Sequence, residues 1–412
     1  MNANMKPDRT ETACLRELAK RYMDASASQE HDRTKELWRR LHDRRMQRPM
    51  IYIWAIIFTE ELEEVANPVC RHPLFLEAEK RLRTDLYHHS TGDDYLLEPF
   101  IDFLAVRKGM EDGPWGVRTS IESSGGAYKA YADPPLKDLA DLSLIRPPGH
   151  HIDEAATAVN LGLLQDAIGD ILPVSVIRQP RYGAGFPVRL PHFRGFEQLM
   201  IDMVDNPAGL HRLLEKMLAT TLAAMDQADA AGDYRTADAD IQSVPYSSYT
   251  PDPFPVRPAR RKDLWCHTHA QDFTLVSPQM HDEFALRYQL PIMEQFAASA
   301  YGCCEDLTHK IDILRKVRNL KMISVAPAAN LEKCAEQIGP DYVVSWRPNP
   351  TDQVCTSFDR ARIRRTIREG CRILDRNGCH YEINLKDVVS LCGERGRLRE
   401  WVSIVREVIG GM

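Results

Sequence analysis

The sequence predicts a (β/α)8 barrel behind an N-terminal helical extension, with the extension over residues 1–45 and the barrel over 46–412. Three observations lead there. The last 150 residues read as four consecutive strand–helix pairs joined by short turns, and parallel neighbours need such helical crossovers. Four earlier apolar runs, near residues 52, 98, 175 and 242, supply the other half of a ring. No Gly-rich phosphate turn follows an early strand, which weakens the doubly wound open sheet as the second choice.

The elements follow in chain order. Leu15, Leu18 and Tyr22, then Leu37, Trp38 and Leu41, recur at helical spacing in a charged context. Gln47-Arg48-Pro49 breaks that pattern, and Met50 to Phe58 reads as a buried strand. A charged helix covers HPLFLEAEKRLRTDLYHH, and Tyr95 to Leu104 reads as a strand or a strand and turn. Residues 105–160 are rich in Gly and Pro and fit either a small β-subdomain or long loops. Helical AATAVNLGLLQDAIG precedes the β-branched run Leu172 to Ile177. Asp205-Asn206-Pro207 is a helix start, and Leu210, Leu213, Leu214 and Met217 then fall on one face. A short strand is expected over Ile241 to Val244. The final pairs begin at SAYGCC, LKMISVAP, DYVVSWRP and HYEINLKDV.

Composition narrows the function classes. Of 412 residues, 53 are basic and 59 acidic, a net charge of −6, which argues against a nucleic-acid partner despite the local stripe of Arg364, Arg365, Arg368 and Arg372. No apolar segment approaches the ~20 residues of a bilayer span, and no secretory pattern opens the sequence, so a cytoplasmic setting is expected. Ten cysteines then sit in a reducing compartment without a disulfide framework. Eight of the ten follow residue 265, which draws attention to the last third.

Active sites of such barrels lie at the C-terminal ends of the strands. Those ends carry Cys303, Cys304 and Glu305, then Arg347 in Trp-Arg-Pro-Asn, then Asn384, Lys386 and Asp387. Thiolates with a carboxylate suit zinc, so Cys303, Cys304 and Glu305 are candidate metal ligands, although small core cysteines would read the same way. Strand alternation would place Tyr301, Cys303 and Glu305 on one face and Cys304 on the other. His267, His269, Asp272, Asp387 and Cys355 are further ligand candidates. Arg347 suits a substrate carboxylate or phenolate, and Asp102, Arg347 and Asp387 are the candidate catalytic groups. Glu98, Trp115, His269 and Gln271 are candidate substrate contacts. Trp54, Tyr95, Tyr182 and Phe186 are aromatics that an apolar pocket could use.

The stretch YGCCEDLTHKIDILRKVRNLKMISVAPAANLEKCAEQIGPDYVVSWRPNP, with GCHYEINLKDV and RLREWV, resembles the uroporphyrinogen decarboxylase superfamily. It looks closest to the decarboxylase-like branch associated with corrinoid-dependent methyl transfer. The resemblance covers the last 150 residues well and the first 250 in outline, and it too implies a TIM barrel. RRMQRPMIYIWAII stands where true decarboxylases carry an Arg-rich motif, and Phe100-Ile101-Asp102-Phe103 loosely matches their aspartate segment. Tyr301-Gly302-Cys303 falls in the register of the branch's His-x-Cys zinc motif, with Tyr in place of His.

The resemblance implies a methyltransferase that moves a methyl group from a small methylated, methoxylated compound to a corrinoid. The corrinoid would be carried by a partner protein, because no Asp-x-His-x-x-Gly corrinoid motif is present. Zinc would activate the leaving heteroatom. A metal-free decarboxylase of a small organic acid, resting on Arg347 and Asp102, is the alternative, and a non-enzymatic binding protein is the third. The charged N-terminal helices suit a homodimer contact.

Overall fold

The computed structural model describes residues 6–27, 29–56, 58–109, 113–118, 121–123, 129–131, 133–146, 149–181 and 183–411. Tyr182 lies outside the described residues. Eight strands with parallel partners organise the chain. They are β1 (Met50–Ile56), β2 (Ile101–Leu104), β3 (Val174–Ile177), β4 (Trp265–Thr268), β5 (Ala298–Tyr301), β6 (Leu320–Val325), β7 (Val343–Trp346) and β8 (His380–Val388). Six of them form one parallel sheet in the order β1-β8-β7-β6-β5-β4, while β2 pairs only with β3. The fold is therefore a mixed α/β structure with a barrel-like parallel sheet, and among the described residues no ladder closes an eight-membered ring.

Both open edges of the six-stranded sheet are satisfied by other groups, which explains the interruption. The Ile51 and Ile53 amides on the free edge of β1 donate to the Asp94 and Asp93 carboxylates at 2.8 and 2.9 Å. Asp94 returns its own amide to the Ile51 carbonyl at 2.8 Å and is held by Arg48 and Arg406. At the other edge the Asp240 amide donates to the Trp265 carbonyl at 3.3 Å. The segment expected as a strand over Ile241 to Val244 is irregular, and β4 takes the fourth strand position instead. Its polar residues explain the difference: Ser243 and the Gln242 carbonyl turn inward to bond Glu382 and Asn384 rather than joining a ladder.

Helices cover the sheet. They include α1 (Arg9–Ser26), α2 (Gln29–His42), α3 (Pro73–His89), α4 (Glu154–Ile168), α5 (Pro207–Ala231), α6 (Leu331–Ile338), α7 (Arg360–Arg376) and α8 (Arg397–Gly410). Asp8 and Glu11 form a reciprocal capping box on α1. Asn206 caps α5 ahead of Pro207, as its sequence signature predicts. Gly370 lets α7 close on β7, since a Cβ there would lie 2.1 Å from the Trp346 ring. The N-terminal helices do not stand apart: Leu15, Leu18 and Tyr22 share a core with Leu74, Phe75 and Leu164. Residues 105–160 include a short antiparallel pairing of Ile121–Ser123 with Lys129–Tyr131. No helix is long and apolar enough to cross a membrane.

Strand alternation sorts the sheet residues. Ile383, Leu385, Val344 and Trp346 enter the core under the helices. Glu382, Asn384, Lys386, Ser345 and Arg347 occupy the alternate, inner positions.

Candidate active site

The inner positions build a polar column that rises toward the strand ends. Glu382 is fully buried and accepts from Ser243 Oγ at 2.5 Å, Ser345 Oγ at 2.6 Å and Asn384 Nδ2 at 2.9 Å. Burial raises its carboxyl, and those three donors only partly oppose the shift. Asn384 also donates to the Gln242 carbonyl at 2.9 Å, and Gln242 Nε2 reaches Cys303 Sγ at 3.6 Å.

Cys303 and Cys304 stand above this column. Tyr301 ends β5, and Gly302 follows at φ +104°, a conformation in which a Cβ would lie 2.9 Å from Leu307. That turn breaks the alternation expected across 301–305. Tyr301 points into the helical layer, where its hydroxyl donates to Gln289 at 2.9 Å and meets His281 at 2.7 Å. The two cysteines are brought to one place, with sulfurs 3.7 Å apart, instead of lying on opposite faces. Glu305 is buried behind them, its oxygens accepting the Cys303 amide at 2.7 Å and the Ala270 amide at 2.8 Å. It organises the loop backbone and has no oxygen turned to the sulfurs.

The electrostatics separate the two thiols. A hydrogen bond from Cys304, with the electrostatic influence of His269, Lys386 and Arg347, pushes Cys303 down to about 5 against its burial. Cys304, facing the resulting thiolate, is raised. Lys386 Nζ lies 3.5 Å from Cys304 Sγ and 5.0 Å from the centroid of the Trp54 ring. Burial works against the Lys386 charge, but the neighbouring Cys303 and Asp387 raise it. Asp387 contacts the Lys386 ammonium and accepts from Cys304 Sγ at 3.7 Å. It holds φ +57°, a strained value for a non-glycine residue of the kind that clusters at functional sites. Arg347 donates to the Cys303 carbonyl at 2.6 Å and leaves its buried Nε without a partner.

A cavity of about 250 Å³ is lined in part by Trp115, Phe186, Asp240, His267 and His269. His267 is held neutral by burial, down to about 3, and its Nε2 lies 3.0 Å from the Gly302 carbonyl. His269 Nδ1 is buried without a partner. Asp240 lines the cavity and is open to solvent, and the crowding of the surrounding protein raises its carboxyl above its ordinary value.

The structure thus gathers Cys303, Cys304, Asp387 and Arg347, while His269 and Trp115 share the wall of the 250 Å³ cavity. Three sequence candidates lie elsewhere. Asp102 is ion-paired with Arg81 of α3. Glu98 accepts from Tyr246 at 2.5 Å, beside residues of α2. Gln271 is exposed on a turn after β4. Lys386, Glu382, Gln242 and Asp240 were not among the candidate catalytic or binding groups. The spacing Glu382, Asn384, Lys386 was the available signal, because residues two apart on a strand share a face.

A larger cavity, about 740 Å³, runs along β3 between Phe100 and Pro258. Its Arg178 is paired with Glu154 and Asp233, and it holds none of the groups above. Among the described residues, one trio of potential ligand atoms lies mutually within 4.8 Å, and it is Cys14, Cys70 and Glu79 in the helical layer.

No family model matches the chain, and no curated protein matches it. Among solved structures, a methyltransferase from Methanosarcina mazei is similar, with a TM-score of 0.55 and 12% identity, covering 91% of this chain and 98% of that one. At that identity the likeness is one of fold.

Proposed function

We propose that this chain is a methyltransferase that takes a methyl group from a small methylated, methoxylated compound and passes it to a corrinoid on a partner protein. The observation that carries the reading is the Cys303–Cys304 pair at the strand ends. Two thiolates on one tetrahedral zinc at ~2.3 Å would lie about 3.8 Å apart, close to the observed 3.7 Å. A Cys303 thiol pushed down to about 5 is already a thiolate at neutral pH. His269 has a buried Nδ1 without a partner, but neither of its nitrogens lies within 4.8 Å of both sulfurs, so its side chain would have to move to become a third donor. Glu305 is turned to the loop backbone, accepting the Cys303 and Ala270 amides, and neither of its oxygens lies within 4.8 Å of both sulfurs. The similar structure's description as a methyltransferase adds support.

When bound, zinc would supply Lewis acidity to the heteroatom that loses its methyl group. The protein's own groups do the rest. Arg347 fixes the Cys303 carbonyl, and the buried column of Glu382, Ser345 and Asn384 sets the floor beneath it. Lys386 balances the thiolate charge. The decarboxylase alternative loses its acid, since Asp102 is occupied by Arg81 on the helical side.

The test is zinc content per purified chain together with methyl transfer from methoxylated donors to reduced cobalamin. Near one zinc per chain and transfer that disappears in Cys303→Ser are expected. Metal-free protein without transfer from any donor overturns the reading.

A further inference from the structure

We propose that the outer edge of β3 is a docking edge for an extended segment of a partner protein, one that brings apolar residues and a carboxylate. The inference is independent of the methyltransferase reading, since the 740 Å³ cavity along β3 holds none of the groups around Cys303.

The edge is defined by how β3 pairs. Pro173 and Ile177 offer their carbonyls to the Ile101 and Ala105 amides on the β2 side, at 2.9 and 3.0 Å. Backbone groups alternate along a strand, so Val174 and Val176 turn their amides and carbonyls the other way. Among the described residues, no strand pairs with β3 on that side, and no other group bonds these two amides and two carbonyls. The other broken edges differ. Asp93 and Asp94 take the outward amides of β1, and the Asp240 amide takes a carbonyl of β4. All of β3 is only half-buried, whereas β4, β5 and β7 are buried throughout.

The cavity lies along this open edge. Pro173, Val174, Ser175 and Val176 all line it, as consecutive residues do when a strand presents its edge rather than one face. Phe100, Phe254, Pro255, Val256 and Pro258 add an apolar wall, with the two phenyl rings stacked at 6.0 Å. A strand of about four residues, ~13 Å long, would pair with the edge and set its side chains against that wall.

Charge selects the segment. Arg178 is balanced by Glu154 and Asp233. Arg235, also on the lining, gives its guanidinium to the Gly232 and Tyr234 carbonyls at 2.6 and 2.9 Å and forms no ion pair with a described residue. A carboxylate on the incoming segment would supply its counter-charge. A second copy of this chain is the poorer occupant, because its own β3 lines the same cavity and does not protrude.

Amide-resolved hydrogen exchange and fluorescence anisotropy on the full chain test this. In the free protein the Val174 and Val176 amides should exchange at least about tenfold faster than those of Ser175 and Ile177. The labelled peptide acetyl-Thr-Val-Glu-Val-Thr-amide should bind and slow both. Of two versions N-methylated on alternate amides, one should lose at least about tenfold, because its donors to β3 are gone while its side chains remain. Arg235→Gln should weaken the peptide about tenfold and leave its glutamine version unchanged. Val176→Pro removes an outward amide and no bond to β2, and it should weaken both peptides. Val174 and Val176 amides as slow as Ser175, no binding at millimolar peptide, or equal binding of both N-methylated versions each overturns the docking edge. So does self-association of the free chain that protects the same two amides.

Discussion

The molecule holds two cysteine pairs built to nearly the same plan. Cys303 and Cys304 sit against buried Glu305, and Cys14 and Cys70 sit against buried Glu79. Each carboxylate accepts two backbone amides, Glu79 from Val69 at 3.0 Å and Cys70 at 2.7 Å. In the helical layer the carboxylate also faces the sulfur, with Cys14 Sγ donating to it at 3.5 Å and Arg83 closing the charge balance at 2.8 Å. Burial and the Glu79 charge together raise both Cys14 and Cys70. At the strand ends the carboxylate faces the backbone, and the hydrogen bond from Cys304, aided by Lys386 and Arg347, lowers Cys303. Closeness of ligand atoms therefore does not define a reactive site. What each sulfur faces does, a carboxylate in one pair and a thiol donor with cations in the other, and it separates a structural pair from a chemical one.

The largest expected contrast is in metal binding and turnover. Cys303→Ser should lower zinc affinity by more than about 100-fold, since even changes in groups supporting a ligand cost 10–100-fold. Cys70→Ser should leave zinc content and methyl transfer as they are. Metal retained by the first variant and lost from the second would invert the comparison. Next is stability: Glu79→Gln should cost on the order of 3–5 kcal/mol, because it leaves Arg83 beside an incomplete partner in a buried setting. Urea unfolding that shifts by less than about 1 kcal/mol would show that the helical pair is not structural.

The pH profile sharpens the contrast. Alkylation of Cys303 by iodoacetamide, followed by peptide mass spectrometry, should rise with a midpoint near pH 5, while Cys14 and Cys70 stay protected through pH 9. The folded Cys303 pKa lies below the unfolded value near 8.5. The folded chain thus binds fewer protons between about pH 5 and 8.5, so this contribution to stability grows as pH rises through that window. It is lost as pH falls through about 5, and Cys303→Ser should lack it. The smallest effect concerns the neighbour. Cys304→Ala removes the hydrogen bond that contributes most to the Cys303 shift and should raise the alkylation midpoint by about one pH unit. Cys304→Ser keeps a donor and should move it less. Being exposed, Cys304 should change the unfolding free energy little in either variant.

Much of this was legible before the structure. The strand–helix pairs from Ala298 onward follow local hydrophobic period, and the structure has them where the pattern does. The pairing of Cys303, Arg347 and Asp387 follows from their positions at strand ends. What the sequence hid depends on backbone turns and long-range partners. The +104° φ of Gly302 undid the alternation that put the cysteines on opposite faces. Asp102 sits at a strand end like the others, but only the tertiary structure sets Arg81 against it. Ile241 to Val244 has strand-like composition, yet its polar groups are drawn inward by Glu382 and Asn384.

The carboxylates on the rim of β1 have a consequence for how the protein behaves among other proteins. An unclosed sheet leaves rows of donors and acceptors that foreign strands can join, the usual route to edge-to-edge aggregation. Asp93 and Asp94 occupy the donors of that edge from within the same chain, and Arg48 and Arg406 lock Asp94 in place. An invading strand would have to expel two charged groups and strand their partners. The gap in the ring is thereby sealed against self-association by charge, so the fold stays open without becoming adhesive.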